Sequence, residues 1–491
     1  MNAIINGKNV SFEAGDTILS DAKKNGFFIP SLCAFTPLDH KPGVCRVCLV
    51  ECTPPSGEPC IVPACVTPME EGMRVETATP DVRARQRMQV ELLLREHRLD
   101  CEGCNRRGEC ELQSLREALG MDAFRPAPEG RALAPAAAGP LVRDMDKCVR
   151  CLRCTAMCRR QGAFALRADS TGKEEGIIEF TESACLHCGQ CARVCPVGAI
   201  TERDDTASAL AVLSEPDAFT VAAFTTSARD AVKGVFSALS CSDLEGRLVA
   251  ALRHLGADAV ISADFTSGMA AEAVSRELKN ALENKTLPLF SAACPAWADY
   301  AARHFPESQA PALSDVRAPQ LLASVLNRKT LAQHYGVTED KVRILLVSPC
   351  TPLKNGDFDA VLSARGLFRL MNESGIQPDT VAPESFDRFP VAEQLPCAGM
   401  YGEITGAVLR SLGARIHSIT ETADLVETEA EFGSSMLRTA LCFSCEKAAE
   451  LAGQAGEGLS PYAFIEVMAC PGGCPGGGGS AAVKNDAGRL R

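Results

Sequence analysis

Two cysteine ladders, Cys148-x2-Cys151-x2-Cys154-x3-Cys158 and Cys185-x2-Cys188-x2-Cys191-x3-Cys195, share one spacing, and Pro196 follows the second. Three thiolates on one tight loop can each hold an iron at a corner of a 4Fe-4S cube, and the distant cysteine of the other ladder closes the fourth corner. Crossed ligation gives Cys148, Cys151, Cys154 and Cys195 to one cube and Cys185, Cys188, Cys191 and Cys158 to the other. The two halves are then an internal repeat. Zinc is usually held by two pairs of ligands and has no use for a triple spacing.

Other cysteines fall into motifs as well. Cys33-x11-Cys45-x2-Cys48 is followed by Cys52, Cys60 and Cys65, which compete to be its fourth member. His97-x3-Cys101-x2-Cys104-x5-Cys110 sets a histidine just before a cysteine pair. Three further motifs are Ser291-Ala292-Ala293-Cys294-Pro295-Ala296-Trp297, Ser348-Pro349-Cys350-Thr351, and Glu466-Val467-Met468-Ala469-Cys470-Pro471-Gly472-Gly473-Cys474 with glycines running to Gly479. In all, 25 of 491 residues are cysteine. A chain this long does not need disulfides to hold a small core, and it shows neither a leader pattern nor a run of about 18 apolar residues. A reducing, cytoplasmic setting is expected, with no membrane span, and the cysteines read as metal ligands. The net charge of -12 argues against non-specific nucleic-acid binding. Partners are expected to meet local basic patches, of which the arginine-rich stretch 83–107 is one candidate; it reads equally as a solvated helix face.

The elements that must position these residues change character along the chain. Ile4-Ile5-Asn6-Gly7-Lys8 and Val10-Ser11-Phe12 read as a hairpin, and a helix is expected over 17–24 with Ile18, Leu19 and Ala22 on one face. An amphipathic helix from Pro80 is expected to turn Val82, Met88, Leu92 and Leu93 to a core. The Ala- and Pro-rich stretch 125–140 lacks periodicity and reads as a linker. From about Ser208, apolar runs at 219–224, 257–263, 286–290 and 342–347 alternate with helical segments. That alternation implies parallel sheets flanked by helices, with sites at the carboxyl ends of the strands.

The ladders resemble a two-cluster bacterial ferredoxin. The first motif resembles the plant-type 2Fe-2S domain that opens complex I large subunits and iron-only hydrogenases. There the last cysteine sits in a segment like Ala64-Cys65-Val66-Thr67, upstream of Gly72-Met73, which implies Cys65 as fourth ligand with Cys60 the alternative. The histidine motif resembles the 4Fe-4S module of the same families, down to Asn105-Arg106-Arg107, and implies His97, Cys101, Cys104 and Cys110 as ligands. The three last motifs together resemble the signatures of the iron-only (FeFe) hydrogenase catalytic domain, and the order of modules is similar along nearly the whole chain. The expected division is 1–78 plant-type 2Fe-2S domain, 79–122 histidine-ligated domain, 123–139 linker, 140–206 two-cluster ferredoxin and 207–491 hydrogenase-like domain. In fold class this is α+β iron–sulfur modules followed by an α/β domain with parallel sheets.

The resemblance implies one 2Fe-2S and four 4Fe-4S clusters. Cys294, Cys350, Cys470 and Cys474 would hold the cube of an H-cluster, with Cys474 bridging to a diiron subcluster carrying CO and cyanide. Gly472, Gly473 and Gly477 would let backbone approach the inorganic atoms, and Ser227, Gln320 and Met468 match family positions around the diiron site. Departures stand beside the matches. Ala293 replaces a proton-passing cysteine, Ser348 a methionine, Ser480 a glutamine and Thr226 a proline, while Leu353 stands where a lysine donates to cyanide. Lys354 and Asp357 keep that lysine's spacing to a glutamate, shifted by one, so Lys354 is the expected replacement. Two readings follow: an H-cluster protein with slow or sensory hydrogen chemistry, or a hydrogen-inactive electron relay that keeps only the cube. Either implies a flavoprotein NAD(P)-linked subunit or a ferredoxin as partner, within a multisubunit complex. Cys241, Cys397, Cys442 and Cys445 stay open between a further metal site and plain core thiols.

Overall fold

Strands Asn2–Ile5 and Lys8–Ser11 pair antiparallel around Asn6 and Gly7, which both take positive φ, as a two-residue hairpin turn requires. The computed structural model describes residues 1–123, 135–168, 178–236, 238–305, 312–390, 403–422 and 424–481. Thr17 and Ser20 form a capping box that starts the helix Ile18–Lys24, whose Ile18 and Ala22 are buried under a five-stranded sheet. The next helix, Pro80–Glu96, buries Val82, Gln86, Val90 and Leu94. The expected face is corrected here: Met88 and Leu92 are 50% and 52% exposed. An i, i+4 row beginning at Val82 runs through the polar Gln86, which is drawn inward because its Nε2 donates to the Leu49 carbonyl at 2.8 Å.

Of the expected linker, residues 124–134 lie outside the described residues. Ala136–Ala138 is a strand, paired with Leu141–Arg143, which in turn pairs with Ile200–Glu202. The Gly139-Pro140 turn lets the alanine run fold back as a hairpin, so residues 136–138 of the expected linker form a strand.

Two sheets build the C-terminal half. One is wholly parallel, in the order 259–262, 219–224, 342–347, 360–362. The other aligns Ala312–Leu313, Leu289–Phe290, Phe464–Val467 and Ser435–Cys442 in parallel, then adds Leu425–Phe432 and Arg415–Glu421 antiparallel. The parallel core is as expected, the antiparallel extension adds to it, and the strand expected over 286–290 shrinks to its last two residues. Among the described residues no helix is long and apolar enough to cross a membrane.

The two-cluster region is joined to the C-terminal half by buried charge. Arg365 pairs with Glu202, lies 3.2 Å from Glu109, and donates to the Ser480 carbonyl at 2.6 Å. Burial pushes the Glu202 carboxyl up, but Arg365, a backbone amide, Arg106 and Lys354 together outweigh it and hold the carboxyl below its ordinary value. Lys354, 1% exposed at its side chain, is held by Asp205 at 2.8 Å and the Val361 carbonyl at 3.0 Å. The residue expected to replace the displaced lysine thus holds an ion pair between the two regions.

Breaking a buried pair leaves an uncompensated charge and typically costs about 3–5 kcal/mol. Arg365→Met is expected to lose stability on that scale near pH 7, read as a lowered denaturant midpoint. Because the Glu202 pKa is depressed, its contribution is present above the ordinary carboxyl value of 4.5 and is lost as pH falls through the lower folded value. The difference between wild type and variant should therefore shrink in acid. A variant within about 0.5 kcal/mol of wild type at pH 7 contradicts this account of the seam.

Candidate functional site

The first cysteine group comes together around one point. Cys33 contacts the sulfurs of Cys45 and Cys65, and Cys48 contacts Cys65. The Cys33 amide also donates to the Cys45 sulfur at 3.4 Å. Cys60 is exposed on the strand Cys60–Pro63, its thiol turned to the Cys52 carbonyl, so it stands apart from the group.

His97 ends the helix Pro80–Glu96 and is buried. Burial pulls its pKa down to about 4, so the ring is neutral at physiological pH. Nδ1 lies 2.9 Å from the Lys147 carbonyl. As a donor there, Nδ1 fixes the tautomer that leaves Nε2 with a lone pair, the arrangement of a metal-ligating histidine. Lys147 also reaches Cys104, its Nζ 3.6 Å from the sulfur, and Cys104 faces Cys110, whose thiol is pushed up to about 11 by burial. Cys101 is exposed on the intervening turn.

The two ladders enclose two cavities. One, of about 20 Å³, is lined by Cys148, Cys151, Cys154 and Cys195. The other, of about 30 Å³, is lined by Cys158, Cys185, Cys188 and Cys191. The fold has exchanged the fourth cysteine of each ladder, as crossed ligation needs. Burial pushes the Cys151 and Cys188 thiols up to about 12 and raises Cys154 and Cys191 further above the ordinary range. Such thiols stay protonated at neutral pH unless a strongly bound metal displaces the proton. The donor set is thiol only, in apolar walls, which fits iron–sulfur clusters.

The last four cysteines sit where parallel sheets place their sites. Cys294 caps the helix Pro295–His304 just beyond the strand Leu289–Phe290. Cys350 follows the strand Val342–Val347, and Cys470 and Cys474 follow Phe464–Val467. Two of these strand ends close alike: Ser291 Oγ accepts from the Ala293 amide and Ser348 Oγ from the Cys350 amide, each at 3.3 Å. The Cys350 thiol is pushed up by burial and then by Cys474 and Cys294, and the Cys470 thiol by burial and then by Cys294 and Cys350. Cys294, Cys470 and Cys474 thus all lie near Cys350, with Cys474 exposed. Cys188 is near enough to act on both Cys350 and Cys470, which sets the second ladder beside this group.

The glycines of this motif differ in what surrounds them. Gly472 and Gly473 take φ of +75° and +82°, and a Cβ on Gly472 would meet no protein atom. At Gly477 a Cβ would lie 2.4 Å from the Pro349 carbonyl oxygen, so protein packing already requires glycine there. Gly189 and Gly478 meet backbone to backbone, a Cβ on Gly478 falling 2.6 Å from the Gly189 Cα. Met468 borders the site, its sulfur 3.2 Å from where a Cβ of Gly473 would be. Ser227 lies on the helix Thr226–Lys233, which packs on the turn Cys474–Gly476, and its hydroxyl donates to Thr225 Oγ1 at 3.0 Å. Gln320 is exposed on the helix Ala318–Val325 and is not brought to the cysteines by any hydrogen bond among the described residues.

Arg193, in the helix Gln190–Val194, was not legible as a site residue. Burial pulls its guanidinium down, and Cys470 is the first of the groups acting against that. It lies between ladder cysteines, and nothing local in the sequence marks a contact with residue 470. Cys442 and Cys445 are fully buried in an apolar cluster with Trp297 and Phe290. Cys241 is exposed at the start of the helix Cys241–His254, away from them, and Cys397 lies outside the described residues.

Cys65→Ser is expected to abolish the electron paramagnetic resonance signal of a 2Fe-2S cluster, whereas Cys60→Ser should leave it intact. The reverse pattern would overturn the grouping of Cys33, Cys45, Cys48 and Cys65.

Residues 219–478 match the family model for the iron only hydrogenase large subunit, C-terminal domain. Residues 2–80 match a 2Fe-2S iron-sulfur cluster binding domain, 86–125 the NADH-ubiquinone oxidoreductase-G iron-sulfur binding region, and 147–199 a 4Fe-4S dicluster domain. The NADP-reducing hydrogenase subunit HndD of Solidesulfovibrio fructosivorans is 30% identical over 97% of this chain and 88% of its own length. Iron hydrogenase 1 of Clostridium pasteurianum is 27% identical over 98% and 88%. The solved structure of HydA(deltaEFG), an [FeFe]-hydrogenase, shares the fold with a TM-score of 0.50 at 20% identity, covering 58% of this chain and 86% of that one. With iron–sulfur modules in front and a matching C-terminal domain behind, this chain is an iron–sulfur oxidoreductase and belongs to the iron-only hydrogenase large subunit family.

Proposed function

We propose that the chain carries one 2Fe-2S and four 4Fe-4S clusters, and that its C-terminal site is of the H-cluster type with slow or sensory hydrogen chemistry. The observation that carries this reading is the placement of Cys294, Cys350, Cys470 and Cys474 just past parallel strand ends, with the other three near Cys350 and the second ladder beside them. Cys33, Cys45, Cys48 and Cys65 would hold the 2Fe-2S cluster; His97, Cys101, Cys104 and Cys110 the first cube; and the crossed ladder sets the next two. When bound, these groups supply one-electron transfer, and a diiron unit at Cys474 the two-electron, two-proton chemistry of hydrogen.

The chain's own residues keep the sites in file. Cys33, Cys45 and Cys110 share one apolar core with Cys148, Cys151 and Cys195. Cys154, Cys185 and Cys158 share the next, and Cys158 and Cys188 share a third with Cys294. Apolar walls exclude water and lower the local dielectric between neighbouring sites. Arg193 places a fixed positive charge beside Cys470, which favours its thiolate. Ser227 and Met468 border the Cys474 turn, where they would meet a diiron unit. The relative named as an NADP-reducing hydrogenase subunit supports an NAD(P)-linked partner in a multisubunit complex; a flavoprotein subunit or a ferredoxin, in the cytoplasm, would fill that role.

Two observations favour a second reading, a hydrogen-inactive relay that keeps only the cube. Lys354 is committed to Asp205, and Ala293 packs in an apolar core with Leu289 and Phe464 and carries no exchangeable proton. Anaerobic reconstitution should give about 18 irons per chain, rising by about two with CO and cyanide infrared bands when the diiron cofactor is supplied. Iron that stays at the lower figure without those bands decides for the relay.

In diiron-loaded protein, Ala293→Cys should raise hydrogen evolution by about tenfold, below the roughly 10²–10⁴ of a well-placed acid or base because Lys354 is also withdrawn. Ala293→Ser should help less, since a hydroxyl is the poorer proton donor. No gain in the cysteine variant would mean that proton supply is not the limiting defect.

A further inference from the structure

Two glutamines of the ladder region, Gln161 and Gln190, are wholly buried at 0% exposure. Gln161 ends the helix that carries Cys158, and Gln190 lies between Cys188 and Cys191. Both line the cavity enclosed by Cys158, Cys185, Cys188 and Cys191. Each sends its amide out of that wall to the C-terminal motif. Gln161 Nε2 donates to the Ala469 carbonyl at 2.7 Å, immediately before Cys470. Gln190 Nε2 donates to the Gly476 carbonyl at 2.8 Å, two residues after Cys474. The segment that bears both cysteines is thus pinned on either flank by side chains from the wall of the neighbouring cavity.

The chemistry of the bridge is specific. A buried carbonyl needs a donor, and a lysine or arginine in either place would add a charge beside thiolates. An amide donates while staying neutral. Gln190 Oε1 has no hydrogen-bond partner, so this side chain is held for its donor end alone. Gln161 Oε1 accepts only a long contact, 3.5 Å, from the Cys445 amide.

We infer that Gln161 and Gln190 are positioning residues that fix the Cys470–Cys474 segment against the second ladder cavity and so set the gap across which the two sites exchange electrons. The inference rests on the cluster reading proposed above. It adds that the register between the two sites is held by these two side chains and not by the glycine contact alone. Methionine is the informative replacement, since it keeps the length and bulk of glutamine and removes the donor.

The test compares wild type with Gln161→Met, Gln190→Met and the double variant. In apo protein, hydrogen exchange of the backbone across 469–480 should quicken at least about tenfold in the double variant, equivalent to about 1.4 kcal/mol, while the distant hairpin 2–11 is unchanged. In reconstituted protein, iron content and the signal of each cluster should be retained, but the magnetic interaction between the second ladder cluster and the C-terminal cluster should be lost. If the double variant does not fold, the single variants decide, each quickening exchange on its own flank. Unaltered exchange and unaltered interaction in variants that keep their iron overturn the positioning role alone. Wild-type protein with no cluster at the C-terminal cysteines overturns the proposed function, and the electron-transfer part of this inference with it.

Discussion

The contact of Gly189 with Gly478, backbone against backbone, is the constraint on which the relation between the two halves depends. Gly189 belongs to the second ladder and takes φ of +71°, while Gly478 belongs to the run after Cys474. A side chain on either would strike the other chain segment, and on Gly189 would also strike Thr351 beside Cys350. The approach also brings Thr351 Oγ1 to the His187 carbonyl at 2.8 Å, so both C-terminal cysteine turns touch the same ladder. Absence of side chains here does what hydrogen bonds and ion pairs do around it. It lets Cys188 act on Cys350 and Cys470 across a boundary between regions.

Burying so many thiols has an electrostatic consequence. Left bare, thiols such as Cys151, Cys154, Cys188, Cys191, Cys350 and Cys470 are forced by burial to stay protonated, and a metal that binds there must displace those protons. Once they are thiolates, fixed cations become useful, and Arg193 beside Cys470 and Lys147 beside Cys104 supply them. The larger cations of the seam serve another purpose. Arg365 and Lys354 spend their charge on Glu202, Glu109 and Asp205, which ties the regions together at a desolvation cost that only paired partners offset.

Local spacing was the most legible part of the sequence. The ladders implied exchanged fourth cysteines, and the cavities show that exchange in their walls. Strands 219–224 and 342–347 were also legible, because buried parallel strands are continuous apolar runs. The antiparallel strand Leu425–Phe432 was missed although it alternates apolar and acidic residues, since attention to apolar runs passes over a half-buried strand. The helix Pro80–Glu96 was assigned its wrong face because an inward polar residue, Gln86, defeats a rule based on hydrophobicity. Lys354 was legible only in part, since its spacing to Asp357 is local whereas its ion pair with Asp205 comes from far back in the chain. Gln161, Gln190 and Arg193 carried no local signal, since each matters through a partner more than 270 residues away.

The central claim is that the C-terminal cysteines form the last in a file of iron sites, next to the second ladder. Anomalous diffraction at the iron absorption edge from crystals of anaerobically prepared protein tests it most directly. The account predicts iron peaks inside both ladder cavities and a further peak enclosed by Cys294, Cys350, Cys470 and Cys474. Iron confined to the N-terminal and ladder sites, or a zinc signal in place of iron at the C-terminal cysteines, would contradict it.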